Sequence, residues 1–322
     1  MRNRVLYFPY IRVPRSRWLT QLLLYWDEVS SIVPYEYIQR PESLGPYMHA
    51  LVREGLVVQV LPGAHIYRVP RFDSAFQAYL EGLGPEVEQR RRRFKGGATF
   101  NVHVEKMREV SETLVALRLA RQARYPWYEV EKDTADDFMS YLATILGRLP
   151  EVDASPITDN AAYLRRLARS GVRKDAIENQ LDSLRLTLLD AVLPVPDRVI
   201  APSEIREFKT RHQRALGDFR RRVEREIIQA AGIPNPALRD RHLAVFVDEV
   251  EARIAEIQAT MQGVGWRTAR ASLSVLAAIP GVTPLVGLAS TIWKALSDLD
   301  RRVEATDFAY AAYARTELIA TV

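Results

Sequence analysis

Cysteine is absent from the 322-residue chain. That excludes disulfide frameworks, thiolate zinc sites and cysteine nucleophiles. Lysine is scarce: only Lys95, Lys106, Lys132, Lys174, Lys209 and Lys294 stand among 45 basic residues. The patterns GxGxxG, GxxxxGK[ST] and GxSxG are missing, which argues against the common dinucleotide, P-loop and α/β-hydrolase sites. His49, His65, His103, His212 and His242 form no HExxH pair. Met1–Arg4 runs straight into a strand-like stretch, so no secretory leader is expected at this start. No metal or other cofactor is expected.

What is present points to a globular chain. Hydrophobic residues make up 48% and charged residues 26%, enough for a buried core in one large domain or two ordinary ones. The net charge is +5 and the pI about 9.4. Val5–Ile11 (VLYFPYI) reads as a strand. Ser16–Val29 reads as a helix, with Ser16 as N-cap and a stripe of Leu19, Leu22, Leu23, Trp26 and Val29. Ser30–Pro34 reads as a second buried strand, completing a βαβ unit.

Two stretches, about 43–80 and 106–142, look like copies of one unit. Leu51, Val52 and Leu56 correspond to Leu114, Val115 and Leu119; Phe76, Tyr79 and Leu80 correspond to Phe138, Tyr141 and Leu142. Each copy reads as helix, strand, turn, strand, helix, with turns at Pro62-Gly63 and Tyr125-Pro126. A helix followed by a two-stranded hairpin is the outline of a winged helix. The functional reading is nucleic-acid binding. The plainer one is a module that packs copy against copy, because neither copy has a conspicuously basic helix. Arg90, Arg91, Arg92, Arg93 and Lys95 form the most basic run. They are the candidates for phosphate contact, with a solvated helix end as the structural reading.

Pro150–Pro156 marks a boundary, and Asn160–Leu193 reads as mainly helical. Leu193–Glu204 carries three prolines and must be extended. The opening LYFPYI…LLLYWDEV…IVP, the WYEVE…FMSYLA segment, PITD at 156–159 and LPVPDRV…EIREFKTRH are similar to a family of bacterial proteins of unknown function. The resemblance runs from the start to about residue 230. It implies no activity and transfers no functional residue. It associates the chain with bacterial mobile-element and anti-phage defence genes, and so with a defence or toxin-like component.

Ile205, Phe208, His212, Leu216, Phe219, Val223 and Ile227 mark one helical stripe that begins at an N-cap Ser203. Leu243, Val247, Val250, Ile254, Ile257 and Met261 repeat at coiled-coil spacing. The two are expected to form an antiparallel helical hairpin over 203–262. Ala271–Trp293 then contains no charged side chain. Its length qualifies as a membrane-span candidate, but Pro280, Gly281, Pro284 and Gly287 break it. Core or oligomer interface is the preferred reading and membrane engagement the other, carried by Leu276, Ile279, Leu285, Leu288, Ile292 and Trp293. Phe308, Tyr310 and Tyr313 give the tail an aromatic core cluster.

Two patterns raise catalysis. His103 and Glu105 form an HxE, as in zinc deaminases, although no PCxxC can follow. Asp197 precedes Glu207 and Lys209 in a PD…ExK order, used by metal-dependent nucleases. Against this, Glu207 sits where a helix's first turn already favours an acid. The expected fold class is α+β and predominantly helical. It comprises an α/β domain with two winged-helix-like repeats over 1–150, a connector over 151–202, the hairpin, and an apolar helical region over 263–322. The leading expectation is a non-enzymatic interaction and assembly protein with a protein partner or homo-oligomer. It would be cytoplasmic, or peripheral at the inner membrane. A nucleic-acid binder and a metal-dependent nuclease are the alternatives.

Overall fold

A computed structural model describes residues 4–160, 163, 176–193, 200–263, 303 and 306–319. The chain is α+β and predominantly helical. It divides into two compact units, Met1–Ala176 and Ile177–Val322.

The first unit is built on a parallel sheet. β1 (Arg4–Tyr7), β2 (Glu28–Ile32), β3 (Val57–Val60) and β7 (Ser155–Ile157) lie in the order β3-β2-β1-β7. β1 pairs with β2 from Arg4↔Glu28 to Tyr7↔Ser31 and with β7 from Val5↔Ser155 to Tyr7↔Ile157, both parallel. The crossover between β1 and β2 is α1 (Arg17–Tyr25), whose first turn is capped by Ser16 Oγ accepting from the Leu19 amide. α1 ends earlier than the sequence stripe implies. Trp26 is already extended, and Val29 is a buried residue of β2 rather than of the helix. Short helices α2 (Tyr35–Gln39) and α3 (Pro46–Arg53) lead from β2 to β3.

The 43–80 stretch departs from its expected outline. Pro62 opens a helix, α4 (Pro62–Ile66), where a turn and a second strand are expected. Proline at the first helical position lacks only an N–H that the helix leaves unbonded, so Pro-Gly starts an element here instead of reversing a strand. β3 pairs with β2, not with a hairpin partner. After α5 (Phe72–Gly82) and α6 (Pro85–Phe94) comes a second sheet. β4 (Thr99–His103), β5 (Ala120–Gln122) and β6 (Trp127–Glu131) form an antiparallel sheet in the order β4-β6-β5. Helices α7 (Val104–Met107) and α8 (Val110–Ala116) lie between β4 and β5, and α9 (Lys132–Arg148) follows β6. The 106–142 stretch thus contains helix, hairpin and helix in the expected order.

α9 is the central helix, buried along most of its length. Phe138 meets Phe76 and Phe72 edge-on, and Tyr141 lies against both rings. Each such side chain contributes about 2 kcal/mol by burial. Gly147 lets α9 approach β7: a Cβ there would run into the Ala154 carbonyl oxygen.

The second unit is helical in its described part. α10 (Ala176–Val192) is tied to α12 (Gln213–Ala231) by Arg185, which grips both Glu224 carboxylate oxygens at 2.5 and 2.7 Å. α11 (Pro202–Arg211) carries Ile205 and Phe208 into the core. The stripe expected along one helix breaks at His212, which is buried against the Tyr313 ring at 4.2 Å and reaches Glu317 at 2.9 Å. α13 (Pro236–Gly263) packs on α12 through contacts that run in opposite chain directions, Glu226 beside His242 and Arg222 paired with Glu249. Leu243, Phe246, Val250, Ile254, Ile257 and Met261 are buried. α14 (Ala309–Ala314) buries Tyr310 and Tyr313, so the tail aromatics are core.

Candidate functional site

The site with the most chemistry lies beyond the carboxyl end of β1. The chain leaves the sheet at Tyr7 and runs through Pro9 to Arg12, pinned by Ser31 Oγ donating to the Ile11 carbonyl at 2.7 Å. The Arg12 guanidinium donates to the Ser43 carbonyl at 2.9 Å. Between this segment and the second sheet is a cavity of about 410 Å3. Its apolar walls include Tyr10, Phe100 and Trp127, with the Tyr10 and Phe100 rings 5.7 Å apart. Its polar groups are Arg12, Tyr37, Asn101 and Lys106. Ligand sites of open parallel sheets sit at this end of the strands, and an apolar pocket with a few convergent polar groups is their usual form.

Lys106 is 3% exposed. Its amine makes no hydrogen bond or ion pair among the described residues. Burial pushes its pKa down to about 7. The cause is desolvation, which penalises the charged form.

The surroundings explain why no internal carboxylate rescues it. Glu105, its neighbour on α7, accepts the Tyr35 N–H at 2.8 Å at the start of α2. Glu36 faces His103, with its carboxylate 3.7 Å from Nε2. His103 is buried and caps α7, with Nδ1 accepting from the Glu105 amide at 3.2 Å. That bond leaves the ring's proton on Nε2, which has no hydrogen-bond partner among the described residues, and the ring stands edge-on to Trp127. Desolvation holds the His103 pKa below its ordinary value against the pull of Glu105 and Glu36. Desolvation likewise raises the Tyr37 hydroxyl, with Glu36 adding to the shift and Arg12 opposing it. The cavity therefore presents Arg12, Lys106 and a protonated phenol, and among the described residues no acid lines it.

α7 is held at this depth by the residue that ends it. Arg108 has φ +51°, a left-handed backbone that few non-glycine residues adopt. Its side chain pairs with Asp73 at 3.0 Å, donates to the Ile66 carbonyl at 3.2 Å and lies over the Tyr67 ring. These contacts fix the turn that presents Lys106. A second cavity, of about 460 Å3 in the helical unit, is lined by charges that neutralise one another, Arg222 with Glu249 and Arg253 with Glu256.

The residues proposed from sequence fare differently. Arg90 is 3% exposed and pairs with Asp137 at 2.8 Å and Glu86 at 2.6 Å. Arg91 donates to the Leu117 carbonyl and pairs with Glu88; Arg93 pairs with Asp133 at 2.7 Å. Arg92, Arg93 and Lys95 of that run are exposed, Arg91 is half-buried and Arg90 is buried, so the five do not form one continuous exposed row. His103 and Glu105 do not share a strand face, because β4 ends at His103 and Glu105 lies in α7. Glu207 is 71% exposed and pairs with Arg211 at 2.5 Å, whereas Lys209 is buried. Residues two positions apart on a helix face different ways, so the Glu207 and Lys209 side chains do not share one face. Asp197 lies outside the described residues, as do Leu276, Ile279, Leu285, Leu288, Ile292 and Trp293. Among the described residues no three His, Asp or Glu side chains converge as metal ligands, and no helix is long and apolar enough to cross a membrane.

Sequence reasoning passed over Lys106. Its one signal is position: it stands in Val102–Val110, where Val102, Met107 and Val110 are core residues. No family model matches the chain, and comparison with curated proteins and with solved structures gives no match.

Proposed function

We propose that the chain is an interaction protein whose first unit recognises a small organic acid in the Lys106 cavity. The observation that carries this reading is the amine of a buried lysine without a partner among the described residues, facing a cavity that Arg12 also lines. An uncompensated buried cation costs stability, and an anion that binds there relieves the cost. Tyr10, Phe100 and Trp127 favour an acid with an apolar or aromatic body.

The helical unit supplies assembly in this account. Ile228, Leu238 and Val245 are large apolar side chains exposed on α12 and α13, and they support a contact with a second copy or a protein partner. The test of recognition is titration calorimetry with phenyllactate, and separately with inorganic phosphate, on wild type and Lys106→Met. Binding by wild type and a loss of about tenfold or more in the variant is the expected result, about 1.4 kcal/mol or more. Equal binding by both proteins overturns the reading.

A second reading has its own support. The order α6, β4, α7, α8, β5, β6, with sheet order β4-β6-β5, is that of a winged helix. The β5–β6 turn carries Arg124 and Tyr125, Arg121 lies in β5 paired with Glu129 across the hairpin, and Arg118 stands just before β5. Tyr125 is 73% exposed, and Arg118 and Arg124 have no side-chain partner among the described residues. This wing, rather than Arg90–Arg93, is the surface we propose for duplex DNA. α8 opposes it with Glu109 and Glu112, which is why recognition of the acid stands first.

A further inference from the structure

We propose that Lys106 captures a carbonyl-bearing acid covalently, as an imine, with Arg12 holding the carboxylate. The inference rests on the anion reading of this cavity and narrows its ligand to an acid that also carries an aldehyde or ketone. Three features of the site carry it. Lys106 is a buried residue whose amine has no partner among the described residues, so none of them must release it before it reacts. A second cation lines the same cavity, so the ligand's charge does not depend on Lys106. Among the described residues no carboxylate lines the cavity to hold the amine in its charged form.

Desolvation leaves a large neutral fraction at neutral pH, the form that attacks carbonyl carbon. The lysine nitrogen forms a bond to that carbon, and the carbonyl π pair moves to oxygen. A proton passes from nitrogen to oxygen to give the carbinolamine. The hydroxyl leaves as water after protonation as the nitrogen lone pair forms the C=N bond, the resulting iminium loses its N–H proton to give the imine, and hydrolysis reverses every step. No oxidant or reductant is consumed. Arg12 keeps donors beyond the one given to the Ser43 carbonyl, and a carboxylate takes two of them side by side. The Tyr37 hydroxyl, kept protonated, is a further donor in the cavity.

The experiment treats the full chain at pH 7 with phenylpyruvate, and separately with 4-carboxybenzaldehyde, in the presence of cyanoborohydride. The two probes differ in the span between carbonyl and carboxylate. Cyanoborohydride reduces the imine to a stable secondary amine, which peptide mass mapping locates. Lys106 is expected to be labelled about tenfold or more faster than each of the other five lysines by at least one probe. Phenyllactate, which lacks the carbonyl, should slow that labelling, and Lys106→Met should lose it while Lys132→Met keeps it. Circular dichroism confirms that both variants fold. Phenyllactate binding that depends on Lys106 without selective labelling overturns the imine and leaves the anion site standing. Neither labelling nor binding overturns both.

Discussion

The Glu105 carboxylate accepts the Tyr35 amide hydrogen at 2.8 Å, and this bond takes the nearest acid in sequence away from Lys106. The acceptor sits at the start of α2, where a negative charge is favoured by the helix dipole. Glu105 thus fastens α2 to α7 and leaves the amine to the cavity. The first prediction concerns this bond. Glu105→Gln keeps an acceptor oxygen and should leave phenyllactate binding within about twofold, whereas Glu105→Ala should weaken it by loosening α7. Titration calorimetry on the two variants checks the contrast.

Lys106 makes the first unit's stability depend on pH. Its folded pKa, about 7, lies below the ordinary lysine value of 10.5, so between the two the unfolded chain binds more protons. The Lys106 contribution to stability is least favourable below pH 7 and becomes more favourable as pH climbs from 7 towards 10.5. Tyr79 and Tyr141 act the other way above pH 10, because burial raises both hydroxyls to about 12. Hydrogen exchange of first-unit peptides between pH 7 and 9.5, corrected for intrinsic rates, should show the rise. Lys106→Met should abolish the slope and stabilise the unit by about 2–4 kcal/mol at pH 7.

Arg90 tests whether the basic run is structural. Its pair with Asp137 is buried on both sides. Arg90→Met leaves Asp137 charged in the interior and should cost about 3–5 kcal/mol. Adding Asp137→Leu should recover much of that loss. A thermal unfolding cycle over the two single variants and the double variant reads the coupling.

Much of the architecture is legible in the residues themselves. Ser16 and the leucines after it specify α1, and Tyr125-Pro126 marks the turn of the β5–β6 hairpin. The errors share a physical origin. Pro62-Gly63 has the chemistry of a turn and equally that of a helix start, and packing decides between them. Arg90 looks solvated in sequence because its partner Asp137 lies 47 positions away on another helix. Lys106 is hidden for the same reason: its depth is set by β1, α2 and the second sheet together, and no local pattern records it.

The wing reading predicts a salt effect. If Arg118, Arg121 and Arg124 contact duplex phosphates, changing all three to Ala should reduce the slope of log K against log salt by about 2–3. Gel-shift titrations from low to moderate salt measure it. An unchanged slope removes the wing from the interface.

Gly147 has no room for a side chain beside Ala154 and Pro156. Gly147→Ala should push α9 off β7 and cost about 1–3 kcal/mol, read as a lowered Tm.

The central claim is that the Lys106 amine is free, buried and open to an acid in the cavity. The most direct measurement is nuclear magnetic resonance of the chain labelled with carbon-13 at lysine Cε, followed across pH. Only six lysines contribute, and Lys106→Met assigns the one that matters. The account predicts that this signal titrates near pH 7 and moves to higher pH when phenyllactate is added, because a bound anion favours the charged amine. A Lys106 signal that titrates with the others near the ordinary lysine value, or that phenyllactate leaves unmoved, would contradict it.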